Sequence, residues 1–213
     1  MKKNTVSEFA QLLKPKDYKR VEWKNKGGSS EEIAIFPPQS KTDNDSFQWR
    51  LSAAHLSEKK GSFSEFPECD RFLTMIEGKP FELLLKKAGR RIPVRKGEVT
   101  LFSGDETTEY ELGQPPAKDL GLIFKRKKVK AAFDILTLSS KPKSFQVSAK
   151  TTFFFMLSGS LTASVYPGEV QFTLQAGDTL RVNLYPENAS EERFVLVEPK
   201  EKESHLVAIE LDY

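Results

Sequence analysis

Apolar and polar residues alternate in short runs over most of the chain, and Gly, Pro, Asn and Asp separate the runs. Phe47-Gln48-Trp49-Arg50-Leu51, Phe81-Glu82-Leu83-Leu84-Leu85 and Leu161-Thr162-Ala163-Ser164-Val165-Tyr166 are examples. A period of two sends alternate side chains to opposite faces, so the pattern predicts β-strands. Many short strands at such spacing predict an all-β sandwich or barrel. Only the start of the chain reads differently. Ser7 followed by Glu8, Phe9, Leu12 and Leu13 has helical spacing, with Ser7 as N-cap and Pro15 as a stop, and predicts one short N-terminal helix.

The strand pattern occurs twice. Phe72-Leu73-Thr74-Met75-Ile76-Glu77-Gly78 lies over Phe153-Phe154-Phe155-Met156-Leu157-Ser158-Gly159 with Phe, Met and Gly in register. Downstream, Gly97-Glu98 leads to Gly104-Asp105 in the first copy, and Gly168-Glu169 leads to Gly177-Asp178 in the second. Tight turns between strands need the positive φ that glycine supplies. The order of strand, Gly turn, strand, Gly-Asp turn resembles the cupin barrel, a double-stranded β-helix of jelly-roll type. Two copies imply a bicupin in one compact body. The expected division is 1–126 and 127–213, with the join near the basic run Lys125 to Lys130.

Charge and composition narrow the chemistry. The 213 residues carry 33 Lys and Arg against 30 Asp and Glu, and this near-balance gives no reason to expect a nucleic-acid partner. The basic run lacks interleaved aromatic residues for base stacking. It reads instead as a strand edge on which lysines deter pairing. No apolar window approaches the length of a membrane span. No apolar run follows Lys2 and Lys3, and Cys69 is alone, so the expected location is the cytoplasm. Cupin metal centres need several converging imidazoles. The two histidines, His55 and His205, fall in different copies, so no metal and no cofactor are expected.

Four motifs in serial order carry a closer resemblance. They are Trp23-Lys24-Asn25-Lys26-Gly27-Gly28-Ser29-Ser30-Glu31-Glu32, Phe47-Gln48-Trp49-Arg50-Leu51-Ser52-Ala53, Gly61-Ser62-Phe63-Ser64-Glu65-Phe66-Pro67-Glu68-Cys69-Asp70-Arg71 and Phe102-Ser103-Gly104-Asp105. Their order is similar to that of the HutD/Ves family over residues 15 to 126. Lys26 and Ser30 depart from the family pattern, and Asp119-Leu120-Gly121-Leu122-Ile123 lacks the family's Asn and Met. The resemblance implies a metal-free bicupin without established enzyme activity. It also implies a link to histidine utilisation or stress response, through a carboxylate such as formylglutamate.

The residues themselves suggest where such a ligand sits. In 47–53, Phe47, Trp49, Leu51 and Ala53 share one face, and Gln48, Arg50, Ser52 and Ala54 the other. A guanidinium inside a barrel needs an anion, either a ligand carboxylate or an internal acid such as Asp70 or Glu77. Ser64 offers a hydroxyl, Arg71 a second cation, and Trp23-Lys24-Asn25 a Gly-flanked loop. The candidate ligand residues are therefore Arg50, Ser52, Ser64, Arg71, Trp23, Lys24 and Asn25. No catalytic residue is assigned. Asp105 and Asp178 read as turn residues. The expected function is non-catalytic binding of a small carboxylate metabolite. The rivals are a metal-free isomerase or epimerase with His55 as base, and an interaction scaffold without ligand. A homodimer is a further expectation, as in other cupins.

Overall fold

The computed structural model describes residues 9–23, 27–41, 46–184 and 192–213. They form nineteen strands and a single 3-10 turn at Pro15–Asp17. The chain divides into two compact units, Tyr18–Val129, and Lys130–Tyr213 together with the segment up to Asp17.

The first unit holds β2 (Lys19–Glu22), β3 (Gly28–Phe36), β4 (Trp49–Leu56), β5 (Lys60–Ser62), β6 (Cys69–Glu77), β7 (Phe81–Leu85), β8 (Arg90–Val94), β9 (Thr100–Ser103), β10 (Thr108–Leu112) and β11 (Ala117–Lys125). A six-stranded sheet, β2-β3-β4-β11-β6-β9, faces a four-stranded one, β5-β10-β7-β8, and the strand pairs among the described residues are antiparallel. Between them lie Leu56, Leu73, Met75, Phe102 and Ala117 from the larger sheet and Phe81, Leu83, Val94, Tyr110 and Leu112 from the smaller.

The second unit holds β1 (Ala10–Leu13), β12 (Lys130–Ser139), β13 (Lys143–Val147), β14 (Thr151–Ser158), β15 (Ser160–Tyr166), β16 (Val170–Gln175), β17 (Thr179–Asn183), β18 (Arg193–Pro199) and β19 (Glu203–Asp212). Its sheets run β12-β19-β14-β17-β1 and β13-β18-β15-β16. The interior is apolar, with Phe154, Met156, Leu161, Leu180, Val195 and Leu206 at its centre.

The two strand orders superimpose as topologies. β4-β11-β6-β9 matches β12-β19-β14-β17, and β5-β10-β7-β8 matches β13-β18-β15-β16. Even the irregularity repeats. The β11–β6 register shifts between Lys118 and Asp119, and the β14–β19 register shifts between Met156 and Ser158. Gly78 and Gly159 close the same turn with φ of 102° and 83°, as the overlaid motifs predict.

Two readings are corrected. No N-terminal helix forms among the described residues. Ala10–Leu13 is a strand that pairs with Val182–Thr179 of β17 and buries Ala10, so the segment before Asp17 belongs to the second unit and not to the first, where the division at 126 puts it. A four-residue apolar run fits a helix turn and a strand equally well, and the open edge of β17 decides the matter. Ser7 lies outside the described residues. The downstream glycines also need re-registering. Gly168 closes β15–β16, whose counterpart is the β7–β8 turn with Gly89, whereas Gly97 lies between β8 and β9, as Gly177 lies between β16 and β17. Gly97-Glu98 and Gly168-Glu169 share a dipeptide but lie one hairpin apart in the two copies.

Candidate functional site

The larger sheet of the first unit places charge inside its barrel. Leu56 and Ala117 are opposite each other and both belong to the core, which fixes the inward face of β4 as Arg50, Ser52, Ala54 and Leu56. On β11 the same face is Ala117, Asp119, Gly121 and Ile123, and on β6 it is Arg71, Leu73 and Met75. Arg50, Ile123 and Arg71 therefore stand side by side on three adjacent strands, with Phe102 of β9 beyond Arg71. Two residues further along, Ser52, Gly121 and Leu73 make the next row, and then Ala54, Asp119 and Met75. Arg50, Arg71 and Asp119 are buried, at 8% exposure for each arginine and 2% for Asp119, and so is Lys125, which follows Ile123 on the same face of β11 opposite Cys69.

Each arginine is held differently. The Arg50 Nε donates to Glu32 Oε2 at 2.9 Å, so an internal acid does answer it, but neither Asp70 nor Glu77. Glu32 reaches it because it is opposite Ser52, two residues along the same face of β4 from Arg50. Asp70 is paired with Arg126 instead. Arg71 has no ion pair among the described residues. Its NH1 donates to the Ser64 carbonyl at 3.3 Å, and its guanidinium lies 4.8 Å from the Phe63 ring centre, 5.0 Å from that of Phe102 and 5.7 Å from that of Phe66. The rings supply attraction to the cation without occupying its N–H fork.

The segment carrying Phe63, Ser64 and Phe66 is strapped over Arg71. Phe63 N donates to Thr108 O at 2.9 Å and Phe66 N to Gly104 O at 2.8 Å, while Glu65 accepts from Thr107 and Lys87. Trp23 closes one wall. Its indole donates to Ser30 Oγ at 2.8 Å, and its ring meets Phe63 and Tyr110 edge-on.

The electrostatics follow from burial. Burial pushes the Asp119 carboxyl up to about 7, against the attraction of Arg71. Burial pulls the Arg71 guanidinium down to about 10, with Asp119 opposing and Arg50 adding repulsion. The Asp119 Oδ2 is buried and accepts no hydrogen bond. Gly121 is its neighbour on the same face, where a Cβ would make only ordinary contacts, the nearest with Asp119 Oδ1 at 3.7 Å.

Of the sequence candidates, the fold thus brings Arg50, Ser52 and Arg71 to one inward face, with Trp23 at its wall. Ser64 contributes its carbonyl rather than its exposed side chain. Lys24 and Asn25 lie outside the described residues. Phe47 departs from strict alternation with Trp49. It precedes β4 and packs on Cys69 and Ile123. His55 faces the other way, 3.1 Å from Glu31, whose second oxygen takes Lys118 at 2.9 Å. Burial raises the Glu31 carboxyl, but the hydrogen bonds of Lys118 and His55 outweigh it and hold the group below its ordinary value. Asp105 does more than form a turn. It accepts from Glu68 N and from Arg126, and the Glu68 amide, Arg126 and Ser103 hold it down to about 2.

Sequence reasoning missed Glu32, Asp119 and Gly121. An available signal was Asp119, the one charged residue among the alternate positions Ala117, Asp119, Gly121 and Ile123. The two positions that depart from the resembled segment, Gly121 and Ile123, both lie on the inward face.

No group of three or more His, Cys, Asp or Glu is placed to hold a metal ion among the described residues. No helix among them is long and apolar enough to cross a membrane.

Comparison with known proteins agrees with this architecture. The chain is 33% identical over 161 residues to a 21.2 kDa Pseudomonas putida protein from the region 3′ of hutC, covering 76% of this chain and 80% of that one. It is 30% identical over 111 residues to the Ves protein of Citrobacter koseri, covering 51% of this chain and about half (54%) of that protein. A conserved Pseudomonas aeruginosa PAO1 protein of unknown function matches with a TM-score of 0.83 at 27% identity, over 96% of this chain and 99% of that one. HutD of Pseudomonas fluorescens SBW25, solved in a formate condition, matches at 0.76 and 25%, over 95% and 98%. Bacillus subtilis oxalate decarboxylase shares the fold alone, with a TM-score of 0.66 at 11% identity over 98% of this chain and 78% of that one. The HutD family profile matches residues 15–195, and the chain belongs to the HutD family.

Proposed function

We propose that the first barrel binds a small carboxylate of the formylglutamate kind and that the protein is a non-catalytic cytoplasmic modulator of amino-acid utilisation, histidine in particular. The observation that carries this reading is Arg71, a buried guanidinium with no ion pair among the described residues. It stands on the inward face of β6, among three aromatic rings, and its NH1 donates to the Ser64 carbonyl at 3.3 Å. Leaving a buried cation without an anion is costly, and a planar carboxylate is the partner its fork matches. The second barrel supports the same reading. By register, Thr152 stands where Arg71 does, Ala132 where Arg50 does and Leu206 where Asp119 does. The fold therefore closes without these charges.

Family membership supports the link to histidine utilisation, and the hutC neighbourhood of the Pseudomonas putida relative points the same way. His55 gives the isomerase reading no support, since it faces away from the arginines and is engaged by Glu31.

The test is a thermal-shift and calorimetric screen of formate, formylglutamate, urocanate and glutamate. A ligand bound only by the native state at 100 times its Kd adds about 2.7 kcal/mol. At least one carboxylate is expected to raise Tm in the wild type and to lose that effect in Arg71→Ala. No shift from any of them at tens of millimolar would remove the binding reading and favour the scaffold.

A further inference from the structure

The carboxylate site contains an acid that an incoming anion would have to face. Asp119 lies across Gly121 from the row of Arg50, Ile123 and Arg71, and Gly121 puts no side chain between them. Its Oδ2 is buried and accepts no hydrogen bond, and Arg71 attracts it without coming within ion-pair distance. A carboxylate placed against the Arg71 fork comes beside this second carboxyl group. Two carboxylates in one enclosed space do not both ionise.

We propose that Asp119 binds the ligand as a carboxylic acid: the anion is gripped by Arg71 on one side and accepts the Asp119 proton on the other, and that proton is taken from solvent as the complex forms. This rests on the carboxylate reading and specifies it. The site takes a monoanionic carboxylate end with no ammonium group facing Asp119, so an N-acylated amino acid fits it and the free amino acid does not.

The charged and titratable groups on the same inward side are Glu32 of β3, Arg50 of β4, Arg71 and Cys69 of β6, Lys125 of β11, which is buried opposite Cys69, and Tyr110 of β10. Glu32 and Arg50 answer each other. Arg71, pulled by burial to about 10, stays charged through neutral pH, and burial moves the Tyr110 hydroxyl further up. Asp119, pushed by burial to about 7, is the group placed to change protonation there.

The experiment is calorimetric titration with formate as the probe, in pairs of buffers of different ionisation enthalpy, at pH 5, 6, 7 and 8. The wild type is expected to take up almost no proton at pH 5 and about half a proton per formate at pH 7, rising toward one at pH 8. Formate then binds about tenfold more weakly at pH 8 than at pH 6, the linkage expected for a group titrating near 7. In Asp119→Asn the uptake vanishes and affinity is flat across this range, because the amide donates without titrating. Formate binding with no proton exchange, or with proton release, overturns the inference and leaves the carboxylate reading standing. Absence of formate binding at every pH, together with failure of the carboxylate screen, overturns both.

Discussion

Asp119 and Leu206 occupy one position in two copies of a single topology. Asp119 is opposite Met75 and Leu206 is opposite Met156, each next to the same register shift. One copy fills the position with hydrocarbon, and the other leaves a carboxyl oxygen buried without a hydrogen bond. The acid is thus a local choice and not a requirement of the barrel, and it costs stability in a way that pH reveals. The folded carboxyl titrates near 7 against an ordinary value of 3.8. The folded state therefore holds a proton that the unfolded chain releases between these values. Its contribution is full below pH 3.8 and is lost as pH rises through 7. At about 1.36 kcal/mol per unit, the loss is on the order of 4 kcal/mol. Asp119→Asn should match the wild type in denaturant unfolding near pH 4 and exceed it by a few kcal/mol at pH 8. Equal stability of the two proteins at both pH values would contradict the burial of an ionisable acid.

Arg71→Lys keeps a positive charge among the same three rings but loses the planar fork. A bidentate grip on a carboxylate is not available to an ammonium. Carboxylate affinity is expected to fall at least tenfold, while Tm without ligand moves little compared with Arg71→Ala, which also empties the volume between Phe63, Phe66 and Phe102. Calorimetry on both variants separates charge from geometry.

Much of this site was legible from alternation. Arg50 and Ser52 fall on the inward face of 49–56 because a strand has period two, and the burial of Leu56 fixes which face that is. The repeat was equally readable, since Phe, Met and Gly keep their spacing through β6 and β14 into the turns at Gly78 and Gly159. What stayed hidden depends on which strands pair and in what register. Glu32 meets Arg50 because β3 sets it opposite Ser52, which no count along β3 alone reveals. The N-terminal strand was hidden for another reason, as Ala10 to Leu13 owe their conformation to the edge at Thr179 to Val182 rather than to their own pattern. Asp119 sits in a buried run whose apolar residues carry the signal of packing and mask the single acid.

His55 offers a control. Its ring is half-exposed on the outer side of β4, and Glu31, its partner, keeps Lys118 if the imidazole is removed. His55→Ala should leave carboxylate binding within twofold of wild type and lower stability by about 0.2–1 kcal/mol, the usual worth of an exposed pair. A large loss of binding would mean that the histidine reaches the ligand, and would revive the enzyme reading.

Gly78 tests the turn that delivers β6 to the smaller sheet. Its φ is 102°, and a Cβ would come within 2.8 Å of the Pro116 carbonyl and 2.9 Å of the Ala117 Cα. Both obstacles are backbone, and Ala117 is buried in the barrel core opposite Leu56, so neither moves cheaply. The turn lies at the far end of β6 from Arg71, with Leu73 and Met75 between. Gly78→Ala is expected to cost roughly 1–3 kcal/mol, the range for a residue forced into a conformation it rarely adopts. The cost should appear in denaturant midpoints. Carboxylate affinity, measured well below the lowered Tm, should stay within a few-fold of wild type, because the strain falls on the turn and not on the row of Arg50, Ile123 and Arg71. A Gly78→Ala protein as stable as the wild type would show that the turn relaxes, and the shared positive φ of Gly78 and Gly159 would then be a preference of the fold rather than a demand.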